Sequence, residues 1–538
     1  LQTKRDVLKI AILYPDSPPR LYEINQKTSL KENIKDFCER WNISHSNDYA
    51  LQVSDSQLYI TESNRHEVRD GSLLNLTMAP WKTVEGLMKQ IKKPETPEVK
   101  LSALLKISRL AADPTFSEEF IKNGGIQWIV STVEKGALQG ESLAHTLTAF
   151  LELMDHAIVG WESCLTKEFI KKVASYVNRG NESDATILQR SLGILECAVV
   201  NSDSLYHEIS EAITVGNLLT HLQKSNSEIQ QNTIALINSL FMKSPSDKGK
   251  VAGRRVCMVV DVAKISDRMA QKQFRTVILN HIIRTQRAIG AEMAHQLHVL
   301  QVLTFNLLEE RMLQKLDPRN PEEREKLLEI RNVAFDSNLN SSPTSKGTNQ
   351  SAFNSRDFKK LGFINHNNPV LDFDQVPPGV LCLDLMVYFA RNQQDNYIRL
   401  VLENSSRDDQ HECPFGKSSI FITKMLCEVL KIGEQPTETG QDFHPMFFTH
   451  DSAFEEFYCI CIQLFNKTWK EMSAIKDDFD KVMSVVRDQI TLGLSARPSS
   501  MDSFKQKLQT LTYNEILKKR QQEMEDKEKF DAQALPVV

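Results

Sequence analysis

The sequence predicts a mainly α protein with one small α+β unit at its N-terminus. Three observations carry this. Alternating apolar residues, the mark of half-buried strands, occur only in the first eighty positions. From about residue 98 the apolar spacing changes to that of helices and recurs in units of similar length. Further on, Asp451–Met472 is apolar on nearly every side, so it should be a helix enclosed by protein.

The chain has 538 residues, too many for one hydrophobic core and enough for about three domains. Its 41% hydrophobic and 25% charged content is ordinary for a globular protein. A net charge of −5 without any basic block offers no electrostatic footprint for nucleic acid. Nine cysteines (38, 164, 197, 257, 382, 413, 427, 459 and 461) are scattered and odd in number, which fits reduced thiols packed as small hydrophobes. The apolar run near the N-terminus is too short for a signal peptide, and Pro15 breaks it. No stretch has the roughly 18 uninterrupted apolar residues of a transmembrane segment, so a cytoplasmic location is expected, with membranes reached through partners.

In residues 1–80, Val7–Tyr14, Leu21–Ile24, Ala50–Val53, Leu58–Ile60 and Leu73–Met78 read as strands, the last after an Asp70-Gly71 turn. Leu30–Trp41 is an amphipathic helix with Ile34, Phe37, Cys38 and Trp41 on one face. The order strand, strand, helix, strand, strand, strand is that of a ubiquitin-like α+β roll. Many such rolls bind small GTPases by pairing edge strands, helped by basic side chains near the first helix. Lys9, Arg20, Lys31 and Lys35 are the GTPase-binding candidates on this reading, against the plainer one of a solvated face.

Residues 80–97, rich in Lys, Pro, Thr and Glu, read as a linker that begins with a short helix. A helical solenoid of armadillo or HEAT type is expected over 98–335. Asn123–Gly136 with Leu143–His156, Phe169–Val200, and Val215–Phe241 repeat one plan of helix, polar turn and longer apolar helix. Ile126, Ile170 and Leu218 mark steps of 44 and 48 residues, within the range of such units. Thr276–Arg284 with Glu292–Leu308 reads as a fourth unit, after an insertion at 248–266 that is basic and then β-branched. Residues 338–354, rich in Ser, Thr and Asn, read as a disordered linker.

The third part, 355–497, is all-α. Ser452 and Glu455 have the spacing of a capping box for the central helix. Phe454, Phe457, Tyr458, Cys461, Leu464, Phe465, Thr468 and Trp469 form its main face, and Cys459, Ile460 and Ile462 make the back apolar as well. A second apolar helix is expected over Ser419–Lys431, ended by Gly433. After a break at Pro498, Met501–Phe530 reads as one charged helix whose polar second half needs a partner surface.

The chemical motifs are weak. Gly416-Lys417-Ser418 lacks the earlier glycine of a phosphate loop, because His411 stands there. His411, Cys413, Cys427, His444, Cys459 and Cys461 contain no metal-ligand spacing, and Cys459 and Cys461 are about 200° apart around one helix. No cofactor, metal or catalytic residue is assigned.

The words Lys359–Phe373 (KKLGFINHNNPVLDF) and Pro377–Arg391 (PPGVLCLDLMVYFAR), with the two apolar helices above, resemble the helical module of the engulfment and cell motility (ELMO) family. The order roll, repeats, module resembles an ELMO protein that stops at Val538, before the pleckstrin-homology domain, proline-rich tail and acidic segment of family members. The resemblance implies a non-catalytic adaptor. It would bind an active Rho-type GTPase (RhoG-like) and adhesion or engulfment receptor tails, and support a DOCK-family exchange factor that activates Rac. That exchange-factor contact is put in question where the chain stops. The competing implication is a GTPase-activating protein for an Arf-type GTPase, since single-domain relatives use an arginine after a Leu-Gly, Pro and Asp pattern. Here Leu361-Gly362, Pro369 and Asp372 match, but Asp374 occupies the arginine position, leaving Arg391, Arg399 and Arg407 as substitutes.

Overall fold

The computed structural model describes residues 7–179, 184–213, 215–243, 272–335, 354–407 and 410–534. The expected insertion at 248–266 and the linker at 338–353 lie outside these residues. Packing divides the chain into two units, Leu1–Ser246 and Asp247–Val538.

The first unit opens with a four-stranded sheet: β1 (Val7–Leu13), β2 (Arg20–Asn25), β3 (Tyr49–Val53) and β4 (Leu73–Met78), in the order β2-β1-β4-β3. β1 pairs antiparallel with β2 and parallel with β4, placing Ile10, Ile12, Tyr22, Ile24, Leu74 and Leu76 on the face covered by α1 (Leu30–Arg40). α1 starts at a reciprocal capping box, Ser29 accepting from Glu32 N and Glu32 accepting from Ser29 N, each at 3.2 Å. The fifth strand expected over Leu58–Ile60 is reduced to a single bridge between Gln52 and Tyr59. Around that bridge Ile60 N donates to Leu51 O at 2.8 Å and Val53 N to Leu58 O at 3.0 Å, while Tyr59 N, on the side away from β3, donates to Asp113 Oδ2 at 2.7 Å.

Asp113 also accepts from Phe116 N at 2.7 Å as the N-cap of a solenoid helix, so one buried carboxylate ties the roll to the repeats. Residues 80–97 are accordingly no linker. α2 (Pro80–Lys92) buries Val84, Leu87, Met88 and Ile91 against α3 (Pro97–Leu110) and α4 (Pro114–Lys122).

The repeats follow as α5 (Gly125–Glu134), α6 (Gly140–Asp155), α7 (Trp161–Cys164), α8 (Lys167–Asn178), α9 (Ala185–Asn201), α10 (Asp203–Ala212), α11 (Val215–Leu222) and α12 (Ser227–Lys243). The long helices α3, α6, α9 and α12 stack in sequence, as do α5, α8 and α11. α10 adds a third helix between units, which is the armadillo rather than the HEAT plan. Asn178 and Asn217 clamp successive layers, donating to Ala212 O at 2.7 Å and Asn178 O at 3.0 Å.

The second unit corrects the expected boundary at 335. α13 (Lys272–Ile278), with a following π-turn, and α14 (Ala291–Asn306) pack into the C-terminal body and not as a fourth repeat. Phe305 lies 4.9 Å edge-on from Phe447 and 6.0 Å from Phe454, while His295 and His298 bond to the carbonyls of Gly440 and Asp442 at 2.7 Å. α15 (Glu309–Leu313) and α16 (Pro321–Phe335) join the same core, followed by α17 (Ser355–Lys360), which Asn354 caps.

α18 (Gly379–Asn392), α20 (Phe415–Val429) and α22 (Phe479–Ser495) surround α21 (Ala453–Glu471), and α19 (Gln394–Ser405) packs on α16, α18 and α20. All eight residues of the expected main face of α21 are buried, with Cys459 and Ile462. The capping box at its start does not form, because Ser452 makes no side-chain cap bond and its amide donates to His450 Nδ1 at 3.0 Å. α20 begins four residues earlier than expected, where Gly416 N and Lys417 N donate to Leu361 O and Gly362 O at 2.7 and 3.0 Å. The C-terminal charged stretch is two helices, α23 (Met501–Thr510) and α24 (Tyr513–Ala534), because Leu511 turns into the core with Phe504, Leu508 and Ile516.

Gly362 adopts φ +78, and a Cβ there would lie 2.5 Å from Pro414 Cα, whereas Gly71, at φ +86, has open space around it. Gly362→Ala is therefore expected to destabilise the second unit by about 3 kcal/mol or more, and Gly71→Ala the first by only about 1 kcal/mol, in denaturant unfolding. Burial pushes His444 down to about 4. Between that value and its unfolded value near 6.5 the unfolded chain binds the extra proton, so this residue lowers stability as pH falls through that window. Relative to His444→Gln, the wild type should lose about 1 kcal/mol of additional stability between pH 7 and 5.5, read from paired melts.

Candidate functional site

In the roll, β2 is an edge strand: β1 occupies one side, and no strand among the described residues occupies the other. Inward-facing Tyr22 and Ile24 hold it to α1, while Leu21 is 84% exposed. Such an edge offers unpaired backbone groups to a second strand.

The end of α1 adds charge to this edge. Trp41, at the C-terminal end of the helix, packs 5.0 Å from Tyr22 and 5.9 Å from Tyr14. The Arg20 guanidinium lies over the Trp41 ring at 5.1 Å, and Arg40 lies over Tyr22 at 5.3 Å. Two arginines are thus held on two aromatic faces at the side of β2 by cation–π attraction. Arg40 also pairs with Asp36 at 2.9 Å.

The four basic residues expected to act together are separated. Arg20 is at the β2 edge. Lys9, also exposed, projects from the outer face of the sheet, opposite Glu23 of β2, and its amide donates to Asp70 Oδ1 at 2.7 Å. Lys31 and Lys35 are exposed on the flank of α1 turned away from Arg40, as 100° per residue requires, and Lys35 lies 3.9 Å from Glu39. Sequence reasoning missed Arg40 because it was the helix's last polar position, with no partner visible until Tyr22 was folded beside it. The signal within reach was Trp41: a tryptophan at a helix end is rarely covered completely, and its open face can hold an arginine.

The residues of the Leu-Gly, Pro and Asp pattern are structural. Leu361 and Gly362 cap α20 through their carbonyls. Asp372 is buried and accepts from Ile364 N at 2.7 Å and from Asn365 N and Nδ2 at 2.9 and 2.7 Å, bracing the loop before α18. Asp374 is exposed at the arginine position. Of the substitutes, Arg391 forks onto Glu329 at 2.5 and 2.6 Å, Arg399 donates to Asn396 Oδ1 at 2.9 Å, and Arg407 is half-buried.

Gly416-Lys417-Ser418 forms the first turn of α20, its leading amides already bonded, with Lys417 Nζ 4.0 Å above the Phe479 ring. The eight described cysteines are free. Burial pushes Cys413 and Cys427 up to about 12 and Cys461 well above the usual thiol range. His411 Nδ1 bonds to Ala474 O at 3.0 Å, and Trp469 donates to His411 O at 3.0 Å. Among the described residues no group of three His, Cys, Asp or Glu is placed to hold a metal ion, and no helix is long and apolar enough to cross a membrane.

Three family models match consecutive parts of the chain. Residues 6–79 match the ELMO protein N-terminal Ras-binding domain, 115–283 the ELMO armadillo-like helical domain, and 306–483 the ELMO/CED-12 family. Similarity to curated proteins runs almost the full length. Human engulfment and cell motility protein 1 is 51% identical over 98% of this chain and 73% of its own length. The mouse engulfment and cell motility protein 2 is 50% identical over 99% and 73%, and the bovine protein 3 is 42% identical over 96% and 77%. With the roll, the stacked repeats and the enclosed helical module following one another in this order, the chain belongs to the engulfment and cell motility (ELMO) family.

Proposed function

We propose that this protein is a non-catalytic adaptor whose roll binds the GTP-loaded form of a Rho-type GTPase. The observation that carries this reading is the β2 edge, open on one side, with Leu21 exposed and Arg20 and Arg40 stacked beside it, in a segment that matches a Ras-binding domain model. A GTPase edge strand would extend the sheet through backbone hydrogen bonds, and the arginines would meet carboxylates on the partner. Lys9, on the strand next to β2, extends that face. Lys31 and Lys35, on the far flank of α1, would contribute long-range attraction only.

The solenoid and the ELMO body would dock receptor tails and a DOCK-family exchange factor, bringing that factor to Rac at the plasma membrane from a cytoplasmic pool. The gain is effective concentration rather than chemistry. Actin remodelling in phagocytosis, migration and cell fusion would follow. Asp374 weighs against an Arf-directed GTPase-activating role, since a carboxylate repels the phosphates that an arginine would stabilise.

The test uses the full chain and an immobilised RhoG-type GTPase. Retention on the form loaded with a non-hydrolysable GTP analogue, and not on the GDP form, is the expected result; equal retention on both would refute an effector role. Arg20→Glu with Arg40→Glu should weaken binding by at least about tenfold, while Lys31→Glu with Lys35→Glu should slow association by only a few-fold. GTP hydrolysis by Arf-type and Rho-type GTPases should proceed at the same rate with and without the protein, and acceleration would identify an enzyme.

A further inference from the structure

In the second unit α19 and α21 present matching polar stripes to one another. Asn396, Arg399 and Glu403 on α19 stand at i, i+3 and i+7, and on α21 Asn466 and Lys470 stand at i and i+4 with Lys467 beside them. Between them is an open cleft of about 280 Å³ with Leu400 in its wall. Both helices have other faces to give to the core, through Tyr397, Val401 and Asn404 on α19 and through Phe465, Thr468 and Trp469 on α21. The cleft is thus not a packing seam.

Its charge is net positive, with Arg399, Lys467 and Lys470 against Glu403. Lys470 bonds to Glu403, and Lys467 lies 3.4 Å from Glu471. Arg399 makes no ion pair among the described residues and donates one N–H to Asn396, leaving most of the fork of five donors unused. Lys470, bonded to it, with Arg399 and Arg407 beyond, holds the Glu403 carboxyl below its usual range. Asn466 Oδ1 is enclosed without a hydrogen-bond partner, a costly state for an amide oxygen. Asn466 lines the cleft, so a rotation of its carboxamide would be needed to bring Oδ1 to a donor entering there.

A ligand that satisfies all of these groups must bring an anion for the cations and a hydroxyl for the amide. An anion too small to span the cleft leaves either the cations or Asn466 unanswered, and a neutral polyol leaves Arg399 unanswered. We propose that this cleft binds a phosphorylated polyol, its phosphate taken by Arg399, Lys467 and Lys470 and a ring hydroxyl donated to Asn466 Oδ1. On entry the phosphate replaces Glu403 as the partner of Lys470, and the guanidinium fork suits a phosphate held by two parallel bonds. This site is independent of the GTPase-binding reading.

Calorimetric titration of the full chain tests it, with inositol trisphosphate and inorganic phosphate as soluble probes at matched ionic strength. Phosphatidylcholine vesicles with and without a bisphosphorylated phosphoinositide are the membrane probe. Inositol trisphosphate should bind at one site, with inorganic phosphate at least about tenfold weaker. Arg399→Ala with Lys470→Ala should lose at least about tenfold in affinity for the inositol phosphate; Asn466→Ala should lose several-fold for it and nothing for inorganic phosphate. Lys467→Glu, at a partly exposed position, repeats the test without touching the other two cations, and unchanged melting curves establish that each variant is folded. Tighter binding of phosphoinositide vesicles than of the soluble headgroup assigns a lipid source; soluble binding alone assigns a free metabolite. The proposal is overturned if neither probe binds, if inorganic phosphate binds as tightly, or if the cation variants bind like wild type.

Discussion

The second unit depends on enclosing α21, a helix whose side toward water is confined to a stripe through Gln463, Asn466, Lys467 and Lys470. Its burial demands neighbours in the other directions, and α18, α20 and α22 supply them. Polar atoms caught in this enclosure then need partners at particular points. Tyr458 donates to Ser419 Oγ at 2.8 Å, Thr468 to Gln489 Oε1 at 3.0 Å, and Trp469 to the His411 carbonyl at 3.0 Å. Apolar contact supplies most of the stabilisation, and these bonds select one rotation of the helix among its neighbours.

The same demand explains why the body extends beyond residues 355–497. α14 brings Phe305 and α23 brings Phe504 to the side of α21 near its start, where Phe447, Phe454 and Phe457 would otherwise face water. In the first unit the corresponding tie is small and polar. Asp113 serves Tyr59 N and Phe116 N together, and burial raises its carboxyl while those bonds oppose the rise. A roll and a solenoid become one unit through a residue that either would need on its own.

The candidate surfaces lie where these demands stop. Arg20 and Arg40 rest on aromatic rings whose other faces are already part of the roll's core, so positive charge is held in place without being buried. At the cleft between α19 and α21 the helices turn most of their apolar residues elsewhere, and what remains is polar, with three cations against one carboxylate. Cysteines, histidines and the Leu-Gly pattern, which invite chemical readings, are consumed by packing and by helix capping.

By itself the sequence determined the class and order of the three parts, since periods of two and of three to four residues are properties of local chain geometry. It also determined the burial of α21, because no other placement suits a helix with so wide an apolar face. Local signals also misled: Ser452 and Glu455 have capping-box spacing without forming one, and the segment around Tyr59 makes one bridge to β3 rather than a strand. Only the tertiary structure decided that residues 272–335 join the C-terminal body, because Phe305 reads the same in a repeat as against Phe447. It alone set Arg40 beside Tyr22 and moved Lys31 and Lys35 to the other flank. Charge on a helix surface has no address until the fold gives it neighbours, and electrostatic and cation–π attraction act over a few ångströms of space, whatever the separation along the chain.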